Sequence, residues 1–147
     1  MWFIALFISV FPFDVDLQES PDFVKEYHEL TTKKEELNFI EKYKENSNID
    51  IKAYVVSLKM KQAKYKFFPW SKLSVFKREK KALNQLIKTN PNNVHLRYIR
   101  LVIQETVPTI LGFNKQIKED KLFLKSILKK KDETDYLDVY ILKNTSL

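Results

Sequence analysis

The sequence predicts an all-α fold: six to seven helices in antiparallel pairs, stacked as a short α-solenoid-like bundle. Three observations carry that expectation. Apolar residues recur at three- and four-residue spacing along most of the chain beyond residue 19, and helix-starting residues precede these stretches. No alternating strand pattern or hairpin dipeptide competes with them. The 147 residues suffice for one domain with its own core, and a 44% hydrophobic, 14% aromatic composition is too apolar for a disordered chain despite 31% charged residues. The expected division is an apolar, signal-like leader over 1–18 and a single α-helical domain over 19–147.

The elements follow in order. Ser20 before Pro21 reads as an N-cap with proline at the first helical position, and Phe23, Tyr27 and Leu30 then share one face. Thr32 with Glu35 three residues on reads as a capping box for a second helix running to about Lys44. After the break at Asn46-Ser47-Asn48, the stripe Ile51, Tyr54, Val55, Leu58 predicts a third helix that continues into an aromatic corner and stops before Pro69. A fourth opens at Trp70 or Ser71 and buries Val75, Leu83, Leu86 and Ile87. Asn90-Pro91-Asn92-Asn93 ends it and caps a fifth. That fifth helix, VHLRYIRLVI and on to Thr106, is apolar nearly all round and is expected at the centre of the bundle. Gly112 supplies a position for positive φ, Ile117 to Leu128 forms a sixth helix, and Asp132 caps a short last one with Tyr136, Val139 and Tyr140.

The amino terminus, MWFIALFISVFPF, is an apolar run of signal-peptide length that stops at Asp14. As a helix it would reach only about 20 Å, short of the roughly 30 Å hydrocarbon core of a bilayer. It has neither a preceding Lys or Arg nor small residues at a cleavage site, so a buried first element of the domain is the alternative reading.

Composition excludes several chemistries. Cys is absent, Gly occurs once and His twice. Neither a Gly-rich dinucleotide loop nor a P-loop can be written with one glycine, because backbone must approach phosphate without a Cβ in the way. Thiol catalysis and the usual Cys-based zinc sites are ruled out as well. His28 lacks the second histidine of a zincin motif and reads as a helix-surface or partly buried residue. No cofactor and no catalytic residue are expected, and a non-enzymatic role follows.

A weak internal echo aligns Asn48-Ile49-Asp50-Ile51-Lys52 with Asn93-Val94-His95-Leu96-Arg97, a shift of 45 residues. With NPNN opening an amphipathic helix, residues 72 to 105 resemble a tetratricopeptide-type helical pair. The segment NPNNVHLRYIRLVIQETVPTILGFNKQIKEDKLFLKSI is similar to a family of small exported bacterial α-helical proteins of unknown function. That resemblance implies an envelope location, periplasmic or secreted, and no activity. A cytoplasmic location is the alternative.

Two constellations are candidate sites. Arg97, Arg100 and Gln104 form one stripe of the most apolar helix, in a chain that otherwise chooses lysine. Guanidinium is less strongly hydrated than ammonium and binds carboxylate bidentately, so the stripe reads as a semi-buried ion-pair site with Glu105, Glu119 or Asp120, and alternatively as an anion pocket. The second is the stretch KYKFFPWSKLSVFKREKK, where Lys64, Lys66, Phe67, Phe68, Trp70, Lys72, Lys77 and Arg78 put rings beside a concentrated positive charge. The first expectation is that Phe68 and Trp70 fold back to close the hairpin core while the lysines line a solvated face. A phospholipid surface comes next, with rings at headgroup depth and ammonium groups near phosphates. Nucleic acid, stacked on the same rings, is a further alternative. The functional expectation is an exported envelope interaction or structural module with a protein partner, or a peripheral binder of anionic surfaces.

Overall fold

Three of the helix starts are set by side chains that satisfy the first backbone N–H groups. The computed structural model describes residues 18–147 and contains seven α-helices: α1 Asp22–Glu29, α2 Lys33–Tyr43, α3 Ile49–Lys61, α4 Pro69–Thr89, α5 Val94–Thr106, α6 Ile117–Leu128 and α7 Asp138–Asn144. Short 3-10 turns at Gln62–Tyr65, Thr109–Leu111 and Asp135–Leu137 complete the regular structure of the described residues. The readings of the apolar amino-terminal run lie outside the described residues.

Thr32 accepts a hydrogen bond from the Glu35 amide, and the Glu35 carboxylate accepts from the amides of Thr31 and Thr32, so the capping box is complete. Asn48 accepts from the amides of Asp50 and Ile51, and Asn93 accepts from that of Leu96. The two asparagines of the internal echo thus start α3 and α5 in the same way. Asn93 also donates to Asp50 Oδ1 at 2.6 Å, which ties the two helix starts together. Gly112 adopts φ 61°, which lets the chain reverse without a Cβ penalty.

Three expected boundaries are corrected. Ser20 makes no capping bond; α1 begins after Pro21, whose carbonyl accepts from the amides of Val24 and Lys25. The third helix stops at Lys61 instead of reaching Pro69, because the chain tightens into a 3-10 turn where Lys61, Gln62 and Lys64 all turn towards Glu36. The fourth helix opens at Pro69, whose fixed φ and missing N–H suit the first helical position.

The interior is organised around two helices, where the sequence points to one. α5 packs against α3, α4 and α6, while α3 packs against α2, α4 and α5. Ten of the thirteen residues of α5 and eight of the thirteen of α3 are buried, so neither helix can present a solvated face. Fully buried side chains such as Phe39, Tyr54, Leu83, Tyr98, Leu101 and Leu124 join all the long helices into one core.

Removing a cap from a central helix should be felt by the whole fold. Asn93→Ala is expected to lower the unfolding free energy by about 1–2 kcal/mol in urea titrations, with Asn46→Ala, outside any helix, costing clearly less.

Candidate interaction surface

The aromatic corner is exposed, which corrects the expectation that it closes the core. Phe67 is 88% exposed, Trp70 67% and Phe68 48%. The rings pack on one another instead: Phe68 and Trp70 stack with centroids 4.6 Å apart and planes 12° from parallel, and Phe67 meets Phe68 edge to face at 5.0 Å. The physical reason lies in the backbone around them. With α3 ending at Lys61 and α4 starting at Pro69, Phe67 and Phe68 lie between the two helices, and Trp70 leaves the first turn of α4 away from its buried side, Val75, Glu79 and Leu83.

The base of this tip is held by a buried charge. Glu36 on α2 is 1% exposed, and it accepts from Gln62 Nε2 at 2.8 Å and pairs with Lys61 at 2.6 Å and Lys64 at 3.7 Å. Burial works against its ionisation, but the hydrogen bonds and charges of Lys61, Gln62 and Lys64 outweigh it and hold the carboxyl below its ordinary range. Lys64 also lies over the Tyr65 ring, 4.6 Å from its centroid. Arg78 is paired with the buried carboxylate of Glu79 at 2.7 Å. Lys64, Lys66, Lys72, Lys77 and Arg78 are all exposed, and of these only Lys64 and Arg78 have a carboxylate partner among the described residues.

The arginine stripe has its partners inside the protein. Arg97 donates through Nη1 to Asp120 at 2.9 Å and to Glu119, and through Nε to the Pro91 carbonyl at 2.8 Å. Arg100 grips Asp120 bidentately, Nε to Oδ2 and Nη2 to Oδ1, both at 2.6 Å. Asp120 has no solvent exposure, and the two guanidiniums that neutralise it are themselves buried. Gln104 donates to Gln116 Oε1 at 2.9 Å, which extends the α5–α6 seam. Glu105 is not part of this cluster: it faces Lys121 and the Ser146 amide near the carboxyl terminus, because its position on α5 is rotated away from Asp120.

The two histidines sit in two separate hydrogen-bonded groups that sequence reasoning missed, His28 half-buried as expected and His95 buried. His28 Nδ1 lies 2.7 Å from the Val24 carbonyl and so must donate to it; Nε2 is then the acceptor for the Tyr98 hydroxyl at 2.8 Å. The Tyr98 oxygen in turn accepts from Asn144 at 3.1 Å. His95 lies between two hydroxyls, Tyr54 at 2.7 Å and Tyr136 at 2.8 Å, with Asp50 at 3.7 Å. Burial keeps both imidazoles neutral, lowering His95 to about 4 and His28 below its ordinary value. The same burial raises Tyr54 well above its ordinary value and Tyr136 to about 12. One signal could have found these groups: a buried tyrosine hydroxyl needs a partner, and Tyr54 of α3 and Tyr98 of α5 lie on apolar helices in a chain whose two histidines are on α1 and α5.

A further cavity of about 930 Å³ is lined by Glu19, Asp132, Glu133, Asp135, Tyr136 and Asp138. Burial, together with Asp135 and Asp132, raises the Asp138 carboxyl above its ordinary value. No group of side chains among the described residues has the arrangement of a metal site.

No protein-family model, curated protein or solved structure matches this chain.

Two outcomes follow from the buried polar groups. Asp120→Ala leaves two buried guanidiniums without their shared carboxylate and should cost about 3–5 kcal/mol in chemical denaturation, whereas Glu119→Ala, at a half-exposed side chain, should cost less. The depressed histidines make stability pH-dependent. In the unfolded chain they take up a proton near pH 6.5, but folded His95 does so only near 4, so the unfolded state binds more protons between these values. Stability should be full above about pH 6.5 and fall on acidification towards 4, at no more than about 1.4 kcal/mol per pH unit for each group. His95→Gln should flatten that dependence in urea titrations run across the window.

Proposed function

We propose that this protein is a non-enzymatic interaction module of the cell envelope that docks on anionic membrane surface through the tip formed by Lys64, Lys66, Phe67, Phe68, Trp70 and Lys72. The observation that carries the reading is the exposure of three clustered rings beside lysines. Water-exposed rings of this size gain free energy on entering an apolar phase, about 1.5–3 kcal/mol for a fully buried side chain. Each neighbouring lysine adds on the order of 1 kcal/mol near anionic lipid at low salt. No described helix is long and apolar enough to cross a membrane, so the contact proposed is peripheral.

The charge of the tip also suits a polynucleotide, but the rings favour lipid. Phe68 and Trp70 cover a face of each other, which leaves a wedge of apolar edges in place of spaced platforms for bases. The signal-like character of the apolar run over 1–18 supports an envelope location, and the matched caps of α3 and α5 support reading α3–α4 and α5–α6 as two tetratricopeptide-like units. A protein partner engaging the same tip is the second role such a module could serve.

Cosedimentation with phosphatidylcholine vesicles, with and without phosphatidylglycerol, tests the proposal. Binding is expected only with the anionic lipid and should weaken as salt rises. Phe67→Ala and Trp70→Ala should reduce affinity without changing the salt slope, and both should leave thermal stability within about 0.5 kcal/mol of the parent because the rings are outside the core. Equal failure to bind either vesicle, or tighter binding to a single-stranded oligonucleotide, would overturn the membrane reading.

A further inference from the structure

Seven, four and seven residues separate Trp70, Lys77, Lys81 and Lys88. These intervals are close to two, one and two helical turns, so the four side chains leave α4 in nearly one direction. All four are exposed. The side of α4 opposite them carries Val75, Glu79, Leu83 and Ile87, which are buried against the bundle. From Trp70 to Lys88 the row spans about 27 Å, at about 1.5 Å for each of eighteen steps.

The cations of this row differ from their neighbours. Arg78 is committed to Glu79, and Lys80 donates to the Gly112 carbonyl at 3.1 Å and lies over the Phe113 ring. Lys77, Lys81 and Lys88, by contrast, have no carboxylate within ion-pair distance among the described residues. A straight row of unpaired ammonium groups with an indole at one end matches the requirements of flat contact with a charged bilayer: the ring at headgroup depth, each ammonium beside a phosphate.

We infer that α4 lies lengthwise on the anionic membrane surface, with Trp70, Lys77, Lys81 and Lys88 against the headgroups and the rest of the bundle stacked above it. This rests on the tip reading and adds an orientation to it. A tip alone would anchor the molecule with α4 upright; the lysine row instead brings the whole helix down. The surface recognised is then an extended sheet of lipid phosphates and not a single headgroup.

The chain has no cysteine, so single labels can be placed without background. Nitroxides on Ser74→Cys, near the tip, and Gln85→Cys, beside the far end of the row, would be compared with one on Lys125→Cys of α6, all three sites being exposed. Vesicles of phosphatidylcholine and phosphatidylglycerol carrying a nickel-chelating lipid relax labels at headgroup depth. The expected result is strong relaxation at residues 74 and 85 and little at 125. Relaxation at 74 without 85 would overturn the lengthwise orientation and leave the tip reading standing, while absence of any vesicle binding would overturn both. A second measurement separates orientation from net charge. The triple variant Lys77→Gln, Lys81→Gln, Lys88→Gln should bind roughly ten- to hundredfold more weakly at low salt. Lys118→Gln, Lys125→Gln, Lys129→Gln, with the same charge loss, should change affinity only a few fold; equal losses in the two triples would contradict the inference.

Discussion

Asp120 is a carboxylate with no access to water, and Arg97 and Arg100 are what allow it to stay there. An isolated buried charge costs several kcal/mol, so the helix that carries the two arginines and the helix that carries the aspartate cannot separate without exposing a large penalty. That requirement fixes the register of α5 on α6. Because α5 is buried on nearly every side, its other polar residues face the same demand and turn to different neighbours, although the Gln104 side-chain oxygen is left without a partner. His95 joins Tyr54 of α3 and Tyr136 of the carboxyl-terminal region, Tyr98 joins His28 of α1, and Gln104 joins Gln116. The polar residues of one helix therefore determine where four other parts of the chain sit.

The consequence for the surface is indirect but physical. A core already positioned by these contacts does not need the aromatic corner to close it. Glu36 plays the matching role at the periphery: buried on α2, it draws Lys61, Gln62 and Lys64 inward and fixes the point where α3 ends. A 3-10 turn and three further residues lead from that point to Pro69, so Phe67 and Phe68 are carried outward on a short connection anchored at both ends and Trp70 on the first turn of α4. Rings held in this way are presented at little entropic cost, since the backbone beneath them is already ordered. Stability and surface chemistry are thus assigned to different residues.

Much of the fold was legible in the sequence because its helix starts use side chains with one clear purpose. The Thr32 to Glu35 box, the break at Asn46-Ser47-Asn48 and the cap at the Asn93 end of NPNN are local devices, readable without knowing the neighbours, whereas Pro69 was read as the stop of the third helix and not as the head of α4. The end of α3 was not, since nothing in residues 62 to 66 stops a helix locally and the deciding contact is with Glu36, 26 residues before Gln62. The partners of the arginine stripe were named only as a set, because three carboxylates lie within reach in sequence and only the pairing of α5 with α6 selects Asp120 and Glu119 over Glu105. The rings differ in how readable they were: Phe67 and Phe68 precede α4 and have no periodicity to read, whereas Trp70 lies in its first turn, seven residues before the exposed Lys77, so the helical spacing already placed it on the outward side.

The central claim is that Trp70 and its neighbouring rings face water in the free protein and leave it on meeting anionic lipid. Trp70 is one of two tryptophans, so a Trp2→Phe background makes its emission the sole indole signal. The emission maximum should be that of a hydrated indole in buffer, should shift to the blue on adding phosphatidylglycerol vesicles, and should be quenched when those lipids carry bromine on their acyl chains. A maximum already characteristic of a buried indole in buffer, or a hydrated one that neither shifts nor quenches with lipid, would contradict the account.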